Sequence, residues 1–189
     1  MASFDAQLRE IHPKTPAGWR SWLEKHHERS QGVWLRYYRS STGKRRLSWE
    51  QAVREALCFG WIDSKVKPID DECYKQIFTP RKPNSVWSKV NKEHVEDLLA
   101  AGLMTDAGRR TIDVAKANGA WSVLEPIDAL VVPPDLAAEL GASERAQQAY
   151  DTLSDSAKRA VLYPLYTAKR DETRAKRLAD TLAQLRGES

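Results

Sequence analysis

The stretch LSWEQAVREALCFG, residues 47–60, constrains the fold more than any other part of the chain. Ser48 and Gln51 stand at the spacing of a capping box, in which the Ser hydroxyl and the Gln amide each satisfy an orphan backbone donor. Val53, Ala56 and Leu57 then fall on one helical face, and Gly60 can take the left-handed conformation that ends a helix. The chain must turn there. Beyond the turn the period changes to two: WIDSKVKPI and CYKQIFTPR flank the acidic DDE, which predicts two strands of a hairpin. Upstream, GVWLRYYRS is rich in β-branched and aromatic residues and predicts a further strand. Thr15 as N-cap and Pro16 at the first helical position predict a helix carrying Trp19, Trp22 and Leu23 on one face.

Beyond Pro83 the signals are helical. NKEHVEDLLAAG starts at Asn91 as N-cap and stops at Gly102, and TDAGRRTIDVAKANG repeats the device with Thr105 and Gly119, predicting an αα-hairpin. Further short helices come after it, with Pro164 expected to kink or divide the last of them. The expected fold class is α+β, with a small antiparallel sheet and packed helices in the N-terminal half and an all-helical C-terminal half. The portions are drawn at residues 1–83 and 84–189, packed as one compact unit.

Among the 189 residues no apolar run approaches the length of a membrane span, and the N-terminus lacks the pattern of a signal peptide. The expected location is cytoplasmic. Cys58 and Cys73 are then free thiols, Cys58 with its reactivity blunted near a helix C-terminus. With His26, His27 and His94 scattered, they match no zinc spacing, and neither metal nor cofactor is expected. His26 and His27 are read as exposed surface.

The net charge of +4 is modest, but its distribution is uneven. Between Glu28 and Glu50 every charged residue is basic: Arg29, Arg36, Arg39, Lys44, Arg45 and Arg46. The same holds between Glu72 and Glu93 for Lys75, Arg81, Lys82, Lys89 and Lys92. Trp34, Tyr37, Tyr38, Tyr74 and Trp87 interleave with these runs. If the runs share a surface, it is the kind of face that draws phosphates or other anions.

Phosphate loops, a G-x-S-x-G elbow and H-E-x-x-H are all absent. The arrangement that stands out is Asp63, Lys65 and Lys67 on alternate positions of one strand, hence on one face, with Arg81, Trp87, Ser88 and Asn91 further along. A guanidinium beside an indole and an amide can hold a planar or anionic group. Each has a structural alternative: Trp61 and Trp87 as core, Asp63 as an ion-pair partner, Ser88 or Asn91 as a helix cap. The acidic Asp70, Asp71 and Glu72 are read as solvated turn charge. In the C-terminal helix, Asp171 before Arg174 and Glu172 before Lys176 predict local ion pairs on a solvated face.

The motifs ALCFGWID, FTPRKPNSVWSKVN and AAGLMTDAG, in that order, together with the closing AKRDETRAKRL, resemble the YdeI/OmpD-associated, or bacteriocin-protection, family of bacterial proteins. Ser64 stands where that pattern has glycine and Ile77 where it has arginine. The resemblance implies a role in stress or antimicrobial tolerance but no established reaction and no catalytic residues. The leading expectation is a binding protein that holds an anionic ligand, nucleic acid among the options, through Arg36, Trp61, Asp63, Lys65, Arg81, Trp87, Ser88 and Asn91. The alternatives are a small-molecule enzyme with Asp63 as acid or base and Arg81 as anion anchor, and a module whose aromatic face meets another protein.

Overall fold

A computed structural model describes residues 3–44 and 47–188; Arg45 and Arg46 of the first basic run lie outside them. The chain divides into two compact units, residues 1–120 and 121–189. The division falls well after residue 83, because the two helices that come after the sheet pack on the sheet-bearing unit.

That unit begins with a 3-10 turn and strand β1 (Glu10–Ile11). Helix α1 (Pro16–His26) is next, its first turn closed by the Thr15 hydroxyl accepting from the Gly18 amide. Strand β2 (Val33–Tyr38) leads to α2 (Trp49–Cys58), where the Ser48–Gln51 capping box forms in both directions. Gly60 then turns the chain at φ 71° into β3 (Trp61–Pro68) and β4 (Cys73–Pro80). The sheet order is β1-β2-β4-β3, antiparallel except at its edge, where β1 runs parallel to β2. Two residues carry too little pattern to announce a strand, so β1 has no signature in the sequence.

The sheet's two faces are covered differently. Val33, Leu35, Tyr37 and Phe78 look toward the helices and are almost fully buried, with Trp19 of α1 edge-on to Phe78. The opposite face carries Trp34, which is also buried. Its indole N–H donates to the Asp5 carbonyl at 2.7 Å, so the N-terminal segment straps this face.

A β-bulge breaks the β3–β4 register: Asp63 opposes Phe78, but Val66 opposes Gln76. The extra residue reverses which way the later side chains point. Asp63 therefore shares the helix side with Phe78 and Gln76, while Lys67 lies opposite Lys75 on the strap side. The single face expected for Asp63, Lys65 and Lys67 does not exist.

Helices α3 (Lys89–Ala100) and α4 (Asp106–Ala117) both pack on α2. Ser88, not Asn91, caps α3, accepting from the Asn91 amide at 3.3 Å. At α4 the capping residue is Thr105, and its hydroxyl also donates to the Cys58 carbonyl at 2.6 Å. One side chain thus opens α4 and closes α2.

The second unit is helical throughout: α5 (Glu125–Asp128), α6 (Pro134–Gly141), α7 (Glu144–Asp151), α8 (Asp155–Tyr166) and α9 (Asp171–Arg186). Its core gathers Leu136, Leu140, Tyr150, Leu162, Leu165 and Leu182. Pro164 sits near the end of α8 and the chain breaks before α9. The helix charges differ from the local pairs expected of them. Arg174 reaches α6 and grips Asp135 with two bonds of 2.7 and 2.8 Å, and it donates a third to the Leu165 carbonyl. Arg177 donates to the Pro164 carbonyl at 2.7 Å.

Candidate functional site

The contact between α2 and α4 positions a pocket. Gly60 has to be glycine there, since a Cβ would come within 2.6 Å of Thr111 Cγ2 and 3.1 Å of the Ala107 carbonyl, and its φ is positive. With α4 drawn this close, Trp61 at the start of β3 and Arg81 just past β4 become its neighbours. The Arg81 amide donates to the Gly60 carbonyl at 2.9 Å, fixing the two strand ends together. The loop beyond is tied down by Asn118, whose side chain donates to the Pro83 carbonyl at 3.0 Å. The pocket holds about 250 Å³, with Phe59, Trp61 and Pro80 as apolar wall and His27, Arg81, Lys82, Arg110 and Thr111 as polar wall.

Arg81 is the unusual member. It is 8% exposed, and its guanidinium lies over the Trp87 ring. One Nη donates to the Val86 carbonyl at 3.0 Å, while Nε is buried with no hydrogen-bond partner. Among the described residues no carboxylate pairs with it. A buried cation lacking a counter-charge is costly. Burial accordingly brings its pKa down to about 10, an effect that the field of Asp63 partly opposes.

His27, expected on an exposed surface, is half-buried instead. Its ring rests on Phe59 at 5.1 Å. Nδ1 is 2.9 Å from the Leu23 carbonyl, which can only accept, so Nδ1 is the donor and Nε2 is left with its lone pair when the ring is neutral. The indole of Trp61 donates to the His27 carbonyl at 3.3 Å.

Of the residues singled out from sequence, Trp61, Arg81 and Trp87 come together here, Trp87 as the floor beneath the guanidinium. The others are dispersed. Asp63 accepts from the Trp49 indole at 2.9 Å and from the Gln76 amide. Lys65 and Lys67 converge on the Asp5 carboxylate, at 2.7 and 3.4 Å. Arg36 lies 3.3 Å from the Cys73 sulfur, with Glu10 and Asp70 near it. Ser88 spends its hydroxyl on the cap, and Asn91 lies within the first turn of α3. Lys44 and Lys75 are likewise engaged, by Glu72 and Glu10.

Sequence reasoning missed His27, Phe59, Lys82, Arg110 and Thr111. Arg110 and Thr111 come from a helix whose approach to Gly60 no local pattern announces. A usable hint was Gly108, inside α4, where a Cβ would run into the Cys58 carbonyl and a helix of better formers would be expected. Both cysteines are buried and free, and burial pushes the Cys58 thiol up. Among the described residues no three His, Cys, Asp or Glu side chains are grouped to hold a metal ion, and no helix is long and apolar enough to cross a membrane.

The fold and the site define an α+β unit with a small basic pocket, joined to an all-helical unit. The family comparison divides the chain in a similar way. A Domain of unknown function (DUF8412) matches residues 11–111, over half of the chain, and the protein belongs to that family. Residues 129–187 match the family described as Bacteriocin-protection, YdeI or OmpD-Associated. The motifs around the pocket that carried the resemblance to the latter thus fall under the former model, and only the closing helix falls under the bacteriocin-protection match. No curated protein and no solved structure matches the chain.

Proposed function

We propose that residues 1–120 form a binding module for a small anion, carried by a cytoplasmic protein of bacterial stress or antimicrobial tolerance. The observation that carries this reading is Arg81, a buried guanidinium with no carboxylate partner among the described residues, lining a pocket beside Lys82 and Arg110. A carboxylate or phosphate placed there would supply the missing counter-charge through charge-assisted hydrogen bonds. The pocket volume of about 250 Å³ suits a small molecule rather than a polymer.

Single-stranded nucleic acid would need exposed aromatic rings for stacking. Trp34, Tyr37 and Trp87 are buried, and most of the basic residues around them are engaged by acidic ones. The same burial argues against a protein partner seated on Trp34 and Trp87. For an enzyme, Asp63 would have to face Arg81 across the pocket, but it does not line that space.

Titrating the tryptophan fluorescence with inorganic phosphate, acetate and a single-stranded oligonucleotide tests the reading. Saturable change with the small anions, absent in Arg81→Met, is expected. A response to the oligonucleotide alone, or small-anion binding that survives Arg81→Met, would overturn it.

A further inference from the structure

The pocket does not end at Arg110. A second hollow of about 330 Å³ adjoins it, and His27, Phe59, Ala107 and Arg110 line both. The two are lobes of one groove running along the start of α4. Their far ends differ in sign. Arg81 and Lys82 belong to the first lobe only, whereas Glu24, Glu28 and Asp106 belong to the second only. Phe59 and Ala107 give the middle an apolar floor.

Resting on the anion reading of Arg81, we propose that the groove takes a small zwitterion of the amino-acid type, its carboxylate at Arg81 and its ammonium among Glu24, Glu28 and Asp106. The acidic end alone would not make a site, since exposed carboxylates are usually solvated and Asp106 also suits the first turn of α4. What makes the groove directional is the buried guanidinium in the adjoining lobe, with its unpartnered Nε. Glu28 is mostly exposed, with His27 Nε2 3.9 Å from its carboxylate. Among the described residues Glu24 makes only a long pair with Arg20, at 3.5 Å. Both keep lone pairs for an ammonium. Arg110 lies between the ends on a flexible stem, able to turn its charge toward the carboxylate and its methylenes toward the ligand chain.

Calorimetric titration of the full chain with β-alanine, γ-aminobutyrate and ε-aminocaproate, each beside its matched carboxylate (propionate, butyrate, caproate) and alkylamine, tests this. One amino acid is expected to bind about tenfold more tightly than its matched carboxylate, a difference of ~1.4 kcal/mol. In Glu28→Gln/Asp106→Asn that preference should vanish while carboxylate binding persists, and in Arg81→Met both should go. Amino acids that bind no better than their matched carboxylates would overturn the zwitterion and leave the anion pocket standing. If none of the carboxylates binds, the anion reading falls and takes this one with it.

Discussion

The guanidinium carbon of Arg81 lies 3.7 Å from the centre of the Trp87 ring, so a buried cation is held on a buried indole with no described acid opposite. Stacking on an indole offsets part of the cost of burying a cation, while burial lowers the pKa of the guanidinium. Such a pair costs stability unless a ligand completes it. Replacing Arg81 by Met keeps the volume and removes the charge, at the loss of the bond to the Val86 carbonyl. Urea denaturation should find Arg81→Met at least as stable as the parent, by about 0–2 kcal/mol, while anion binding is lost. A destabilised Arg81→Met would mean that the guanidinium is a structural tie.

The same group sets a pH dependence at the alkaline end. Arginine is charged below its pKa, and burial brings that of Arg81 to about 10, below the value in an unfolded chain. Between those two values the unfolded chain holds more protons than the folded one, so this group's penalty on the fold is full below about 10 and is relieved progressively as pH rises from there toward the unfolded value. Anion affinity should move the opposite way, weakening as the guanidinium discharges. Phosphate titrations across this range should show affinity lost through about pH 10; an affinity that stays level would mean that the guanidinium keeps its charge there.

Gly60 joins fold to pocket, and a methyl group there tests the joint. Gly60→Ala combines a positive φ with a Cβ 2.6 Å from Thr111 Cγ2, so a loss of about 1–3 kcal/mol is expected. Thr111→Ala should relieve the contact with Thr111 but neither the 3.1 Å approach to the Ala107 carbonyl nor the backbone part. Thermal melts of both single variants and the double would therefore show partial rescue; full rescue would mean that the φ angle carries no strain.

At the other face of the sheet, Lys65 first of all, then the Ser3 hydroxyl and Lys67, hold the Asp5 carboxyl well below the usual carboxylate range. Its contribution is therefore complete above the ordinary carboxylate pKa and lost only as pH falls beneath it. Asp5→Ala should loosen the strap at neutral pH. The readout is hydrogen exchange at the Trp34 amide, which donates to the Arg9 carbonyl at 2.9 Å. Faster exchange is expected in the variant, and unchanged exchange would show that β1 pairing alone holds the segment.

Much of this architecture is legible in the sequence because its signals are local. The Ser48–Gln51 box, the Thr15 and Thr105 caps and the positive φ at Gly60 and Gly119 depend on residues a few positions apart. The β3–β4 hairpin is legible for the same reason. What escapes depends on distant partners. Asp63 loses its expected companions to a single bulge residue, which alternation cannot foresee. Ser88 and Asn91 trade roles within one helical turn. His27 is hidden because nothing near it in the chain announces Phe59. The cations that look free in the sequence are neutralised by Asp5, Glu10 and Glu72, residues that lie outside or between the basic runs. Arg81 lies on Trp87, the neighbour that the sequence suggests, because only six positions separate them, whereas Asp63 lines no part of the pocket.

The bulge in β3 has one more implication. By taking up a single residue, the strand keeps Trp61, Asp63 and Val66 on the side of Phe78 and Gln76 while Lys67 joins Lys75 on the strap side. The hairpin is consequently tolerant of a change in number at the bulge itself. Losing one of Ser64 and Lys65 would restore plain alternation, with Asp63 still opposite Phe78 and Val66 still opposite Gln76, so Lys67 would keep its place beside Lys75 on the strap side.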